Sequence, residues 1–177
     1  LSYSQNTPEA LTAFISKKTI DLFEQTNVLS EREVKARYVV DLKEYIMRIQ
    51  IESRSLGDIA RNFIIPTGIK YQNVLIQNVK GLKEIYGKDY KKFARVQIKI
   101  IERISGHIEE ISEGIFKMVE TRKKLNDIQD EFHKASSYCE KVLPFLSDIR
   151  YHCDKLELVV DDDFWPLAKY RELLFYR

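Results

Sequence analysis

Glycine and proline are scarce in this chain, with 6 and 4 among 177 residues. So few breakers, beside 32% charged residues, describe long amphipathic helices. No stretch of five residues alternates apolar and polar between turn signals, so strands are not expected. No apolar run reaches eighteen residues and no signal peptide opens the chain, which argues against a membrane partner. Charge of one sign is lacking too. The 29 basic and 27 acidic side chains leave a net charge of +2, so nucleic acid is not an expected partner either. The two cysteines, Cys139 and Cys153, fall in one predicted helix, too far apart along it to pair, a usage that fits a reducing cytoplasm. A glycine-rich phosphate loop, a nucleophile elbow and paired carboxylates in a recognisable pocket are all missing.

What is present is helical periodicity. Between Asp89 and Phe132, Ile101, Ile108 and Ile115 interleave with Ile104, Ile111, Met118, Leu125 and Phe132. The steps alternate four and three, which lines one stripe of an α-helix. Gly106 and Gly114 fall off that stripe and are expected to weaken the helix without breaking it. Such a helix is about 65 Å long and needs a partner along much of its length. Val142, Leu146, Ile149, Cys153, Leu156 and Val160 repeat the alternation after a polar break at His133 to Ser137. The expected fold is all-α, an elongated helical bundle built around a long antiparallel helical hairpin whose return arm is Ser137 to Val160. Residues 1–177 form a single helical domain in this reading, with a short docking segment at 161–177. The start at Leu1 opens no recognisable element, so the chain reads as a piece of something longer.

Upstream, Thr7 reads as an N-cap with Pro8 in the first helical position, opening a helix that ends near Asn27. Ser30 and Glu33 form a capping box for a longer helix, whose stripe runs Tyr38, Leu42, Tyr45, Ile49, Leu56, Ala60 and Phe63. Small residues at Ser53, Gly57 and Ala60 allow a neighbour to approach. Pro66 and Gly68 are expected to kink or break the path. A third helix carrying Val74, Leu75, Val79, Leu82, Ile85 and Tyr86 ends at Gly87 as its cap. Ser137 and Glu140 read as a second capping box, Pro144 as a bend, and Asp161 to Asp163 as the end of the arm. A terminal helix with Pro166 near its first turn closes the chain.

Candidate chemistry is thin. Lys88, Lys91, Lys92, Arg95, Lys99 and Arg103 share a helical face near Tyr86 and Tyr90, as an anion or nucleic-acid site would. A solvated helix face looks the same and is the commoner case. Neighbours His152 and Cys153 diverge by about 100° on a helix and cannot chelate one ion together. His107 and His133 have no partner at ligand spacing, so no metal site is assigned. Asp161, Asp162 and Asp163 read as an exposed turn rather than a Mg²⁺ site. Arg122 and Gln129 occupy stripe positions otherwise filled by Ile, which suggests a fraying seam. Phe164, Trp165, Leu167, Tyr170, Leu174 and Phe175 crowd an apolar set into a chain end, so docking back onto the chain's own helices is expected, with Trp165 as anchor. No catalytic and no cofactor-binding residue is assigned.

Two stretches carry a resemblance. The first is Leu29 to Tyr38 (LSEREVKARY), followed by Ile49 to Ser53 (IQIES) and Asp58 to Pro66 (DIARNFIIP). The second is Leu143 to Arg150 (LPFLSDIR), then Asp154 to Glu157 (DKLE) and Asp163 to Phe175 (DFWPLAKYRELLF). Both resemble the C-terminal helical region of the large type III glutamine synthetases, in order and approximate separation. The resemblance implies an ATP-dependent ligase that joins glutamate and ammonia with Mg²⁺ or Mn²⁺ as a cytoplasmic homo-oligomer. It also implies an upstream catalytic domain that holds the nucleotide and metal. This chain would then be a scaffold meeting that domain and other subunits, with no nucleic acid or membrane as partner. The alternative is a free-standing coiled-coil interaction module.

Overall fold

The computed structural model describes Ser4, residues 6–169, Glu172 and Leu174. Among these the regular structure is helical, with no strand. Two compact units emerge, Leu1–Arg54 with Lys117–Leu146, and Ser55–Phe116 with Ser147–Arg177.

In the first unit, helix α1 (Thr7–Thr12) is capped by Asn6, whose side chain accepts from the Glu9 amide at 2.9 Å. The cap is therefore Asn6 rather than Thr7, and Pro8 follows Thr7 within the first turn. A 3₁₀ turn (Ala13–Ile15) and Ser16 then divide the segment that reads as one helix to Asn27, because the Ser16 hydroxyl caps α2 (Lys17–Gln25). Phe14 and Phe23 meet across this corner with ring centroids 5.7 Å apart. The chain leaves α2 through Asn27 in the left-handed region (φ 53°). Helix α3 (Glu31–Ile59) starts at the expected capping box: the Ser30 amide donates to Glu33 Oε2 at 2.8 Å, and the Glu33 amide to Ser30 Oγ at 3.4 Å. Val34, Leu42, Ile46, Ile49 and Ser53 are its buried positions here.

The return part of this unit holds the end of α6 (Arg95–Asn126), with Met118, Arg122 and Leu125 buried. The helix stops at Asn126, six residues before Phe132. Asp130 caps the next helix, α7 (Glu131–Lys141), its side chain accepting from the His133 amide at 2.8 Å. The break thus lies at 127–130 and not at His133 to Ser137, and Ser137 sits inside α7 rather than opening it. Gln129 belongs to that turn. Helix α1 packs on α7. Ala135, Tyr138 and Val142 complete the buried set, and Lys43 Nζ on α3 lies 3.6 Å from Glu131 Oε1 on α7. Val142 separates α7 from α8 (Leu143–Glu157), and Pro144 stands in the first turn of α8, where its missing N–H removes no helical bond.

In the second unit, Pro66 does not break the path. A wide turn (Ala60–Ile64) precedes α4 (Ile65–Tyr86), with the Ile65 amide bonded to the Ala60 carbonyl five residues back. A proline ring clashes with a regular helix one turn upstream, and widening that turn relieves the clash. Helix α4 ends as expected at Gly87 (φ 56°), whose amide donates to the Lys83 carbonyl. A 3₁₀ turn (Gly87–Asp89), short α5 (Tyr90–Phe93) and buried Ala94 intervene before α6, so the long helix begins at Arg95 and not at Asp89. Within this unit Ile104, Ile111 and Ile115 of α6 are buried, as are Ile149, Cys153 and Leu156 of α8 and Val160 beyond it. Gly68 faces α6 closely: a Cβ there would lie 3.2 Å from Ile108 Cδ1. The α6–α8 contacts His107–His152 and Gly114–Ile149 show these segments running in opposite senses.

Candidate functional site

Helix α8 ends at Glu157, and the acidic run after it is a turn. Asp161 Oδ1 accepts from the Asp163 amide at 2.9 Å, and its carbonyl accepts from the Phe164 amide at 3.0 Å. Lys169 Nζ reaches back to donate to Asp162 Oδ1 and to the Glu157 carbonyl. These bonds engage the carboxylates of Asp161 and Asp162. The Phe164 ring lies against that of Tyr71 on α4, centroids 5.8 Å apart. Trp165 is half-buried, while Leu167 and Leu174 are exposed. Tyr170 and Phe175 lie outside the described residues.

The basic face divides at Ala94. Lys88, Lys91 and Lys92 precede it and Arg95, Lys99 and Arg103 follow, all six exposed. Lys92 pairs with Asp89 at 2.9 Å, and the neighbouring Tyr86 and Phe93 rings stack at 4.0 Å.

Two polar clusters escaped the sequence. His107 on α6 and His152 on α8 bring their Nδ1 atoms within 3.0 Å of each other. A neutral imidazole has one donor and one acceptor nitrogen, so this contact requires one ring to keep its acceptor free. Burial first, then the charges of His152, Arg103 and Lys155, lower the His107 pKa, against an opposing push from Glu110. Asp148 Oδ1 lies 3.8 Å from His152 Nε2 on the far side of that ring. The histidines are 45 residues apart in sequence, and neither lies on the apolar stripe, so no local spacing announces the pair.

The second cluster surrounds Tyr138. Its hydroxyl donates to Asn126 Oδ1 at 2.7 Å and accepts from Gln50 Nε2 at 2.9 Å; Gln50 Nε2 also lies 3.1 Å from Asn126 Oδ1. Three helix segments of the first unit are thereby tied through one phenol. Arg122 lies beside Tyr138 and is 8% exposed, so its stripe position is interior and not a frayed end.

No group of three or more His, Cys, Asp or Glu could hold a metal ion among the described residues, and no helix there is long and apolar enough to cross a membrane. An open depression of about 370 Å³ is lined by Glu24, Asn27, Val28, Leu29, Ser30 and Glu33. Those residues build the turn between α2 and α3, and the capping box already engages Ser30 and Glu33.

Comparison with known proteins identifies relatives of this architecture. A family model described as the glutamine synthetase C-terminal domain matches residues 1–83. A glutamine synthetase of Bacteroides fragilis (strain YCH46) is 39% identical over 169 residues, which cover 95% of this chain and 23% of that protein. A type-3 glutamine synthetase of Dictyostelium discoideum is 30% identical across 97% of this chain and 24% of its own length. A glutamine synthetase of Butyrivibrio fibrisolvens is 23% identical over 95% of this chain and 24% of its own. The chain therefore spans about a quarter of the length of these relatives. The chain is thus similar to the glutamine synthetase C-terminal domain over residues 1–83, and to glutamine synthetases, a type-3 enzyme among them, over nearly its whole length.

Proposed function

We propose that residues 1–177 are a non-catalytic scaffold and assembly domain of a type III glutamine synthetase. The full-length protein joins glutamate and ammonia at the expense of ATP, with Mg²⁺ or Mn²⁺, in the cytoplasm and as a homo-oligomer. The nucleotide and the metal are held by the upstream domain. The apolar segment at 161–177 serves as the docking element, with Phe164, Trp165, Leu167, Tyr170, Leu174 and Phe175 as its contact set.

The observation that supports this reading best is the asymmetry of coverage: 95% or more of the chain aligns, against 24% or less of each relative. A second observation supports the assembly role. Val40, Met47 and Ile51 on α3 are 60%, 52% and 56% exposed, and their spacing puts them on one face of the helix. An apolar strip left on the surface of a charged helix suits contact with another protein surface.

The test is deletion of the segment corresponding to residues 1–177 from the full-length protein. Mass by light scattering and ATP-dependent glutamine formation are then compared with the parent. A lower assembly state with impaired synthesis is expected. A deletion variant with the parent's mass and full activity overturns the scaffold role.

A further inference from the structure

Arg122 presents an unsettled account of charge in the first unit. It is 8% exposed, and its Nε–H is buried with no acceptor. Among the described residues, neither Arg122 nor Arg54 forms an ion pair with a carboxylate. The Tyr138 hydroxyl beside it already donates to Asn126 and accepts from Gln50. It can give the guanidinium one further contact and cannot neutralise it.

Arg54 makes matters worse. Gln50 on α3 bonds to Asn126 at the end of α6, and Arg54 and Arg122 each stand one helical turn from that bond; burial first, and then the Arg54 charge, disfavours the charged Arg122 guanidinium. An arginine does not escape by losing its proton at neutral pH. A covered guanidinium with a second cation beside it is strongly unfavourable unless an anion joins them.

We propose that Arg122 and Arg54 form a carboxylate-binding pair, filled by an acidic side chain from the part of the enzyme beyond residues 1–177. The inference rests on the scaffold reading and gives that scaffold one specific contact. A carboxylate suits the site better than a phosphate group. Two guanidinium groups match the two oxygens of a single carboxylate. Arg122 also stands in the last turns of α6, where the helix end carries partial negative charge that opposes a dianion. The length of the relatives supplies the source, since about three-quarters of each lies outside the match.

The test uses the full-length protein. Arg122→Met keeps the apolar stem and removes the charge. Arg54→Gln removes an exposed charge that a packing role would not notice. Amide hydrogen exchange over residues 117–138 reads the contact whether the carboxylate comes from the same subunit or another. Each single variant is expected to exchange about tenfold faster than the parent, as loss of one member of a covered charge pair implies. The double variant should exchange no faster than Arg122→Met alone, because both arginines serve one carboxylate. Unchanged exchange in Arg54→Gln, or strictly additive effects in the double variant, overturns the pair. Should Arg122→Met fail to fold, Arg122→Lys combined with Arg54→Gln carries the same comparison. Deletion of residues 1–177 reads mass and activity instead. A scaffold that passes that test while Arg54→Gln exchanges normally leaves the scaffold role standing and removes only the arginine pair.

Discussion

Gly114 on α6 faces Ile149 on α8 so closely that a Cβ added to it would sit 3.0 Å from Ile149 Cγ1. Ile149 is buried and its Cγ1 lies near the backbone, so the neighbour cannot swing aside cheaply. Helix propensity favours Ala over Gly by about 1 kcal/mol, whereas overpacking a core costs about 1–3 kcal/mol. The clash should win. Gly114→Ala is expected to lower stability by up to about 2 kcal/mol in urea melts, the difference of those two effects. Gly106 on the same helix is exposed with nothing within 4 Å of its added Cβ. There the propensity term acts alone, and Gly106→Ala should stabilise by up to about 1 kcal/mol. Equal effects of the two substitutions would show that the α6–α8 approach does not limit this position.

The His107–His152 contact makes stability sensitive to acid. A single proton can be shared across the pair, but a second places two positive charges 3.0 Å apart. Arg103 and Lys155 add repulsion, while Glu110 opposes it on the His107 side and Asp148 lies beside His152. The folded-state pKa of His107 is lowered, so below pH 6.5 the unfolded chain binds more protons than the folded one. The stabilisation from a neutral His107 is complete above that pH and is lost as pH falls toward the folded pKa. Urea midpoints should therefore drop between about pH 7 and pH 5, and less steeply in His107→Gln. Identical pH slopes in parent and variant would exclude His107 as the source.

Cys153 is buried on the inner stripe of α8, and burial, reinforced by Asp154, raises its thiol pKa to about 11. At pH 8 only about one such thiol in a thousand is ionised, and the thiolate is the reactive form. Cys139 is partly exposed. A disulfide reagent should label Cys139 first and leave Cys153 unmodified until denaturant is added. Rapid modification of both thiols without denaturant would mean that α8 opens readily.

The stripe itself was legible. Ile104, Ile111, Met118 and Leu125, and Ile149, Cys153 and Leu156, are buried as the four–three alternation demands, because heptad spacing follows directly from helix geometry. Ser30 and Gly87 were readable as caps because each acts on neighbours within four residues. The break between α6 and α7 was not. Asp130 and Ser137 are both good N-caps, and Phe132 extends the heptad through the true turn, so local pattern favoured the wrong one. Pro66 misled for a related reason: whether a helix breaks or widens at proline depends on neighbours far away in sequence. Arg122, Gly114 and the histidine pair share that cause. Their roles are fixed by side chains on other helices, and no spacing rule within one helix records those.

The terminal segment gives the last prediction. A fully buried tryptophan would make Trp165→Ala cost about 3–5 kcal/mol. Trp165 is only half-buried, and the nearest ring contact in this stretch belongs to Phe164 on Tyr71. A half-covered indole should lose about half as much, so Trp165→Ala is expected to cost about 1.5–2.5 kcal/mol in this chain. Trp165 is its only tryptophan, so fluorescence reports this site alone. Emission should fall between that of a buried and a free indole, with partial quenching by acrylamide. In the full-length protein, Trp165→Ala should cost more if another surface covers the exposed half. The Lys169 bonds to Asp162 and Glu157 hold the loop against the end of α8, so the segment has an anchor before any partner arrives. Emission that is fully red-shifted and freely quenched in this chain would show that those bonds do not hold it. The anchor would then have to come entirely from a partner surface.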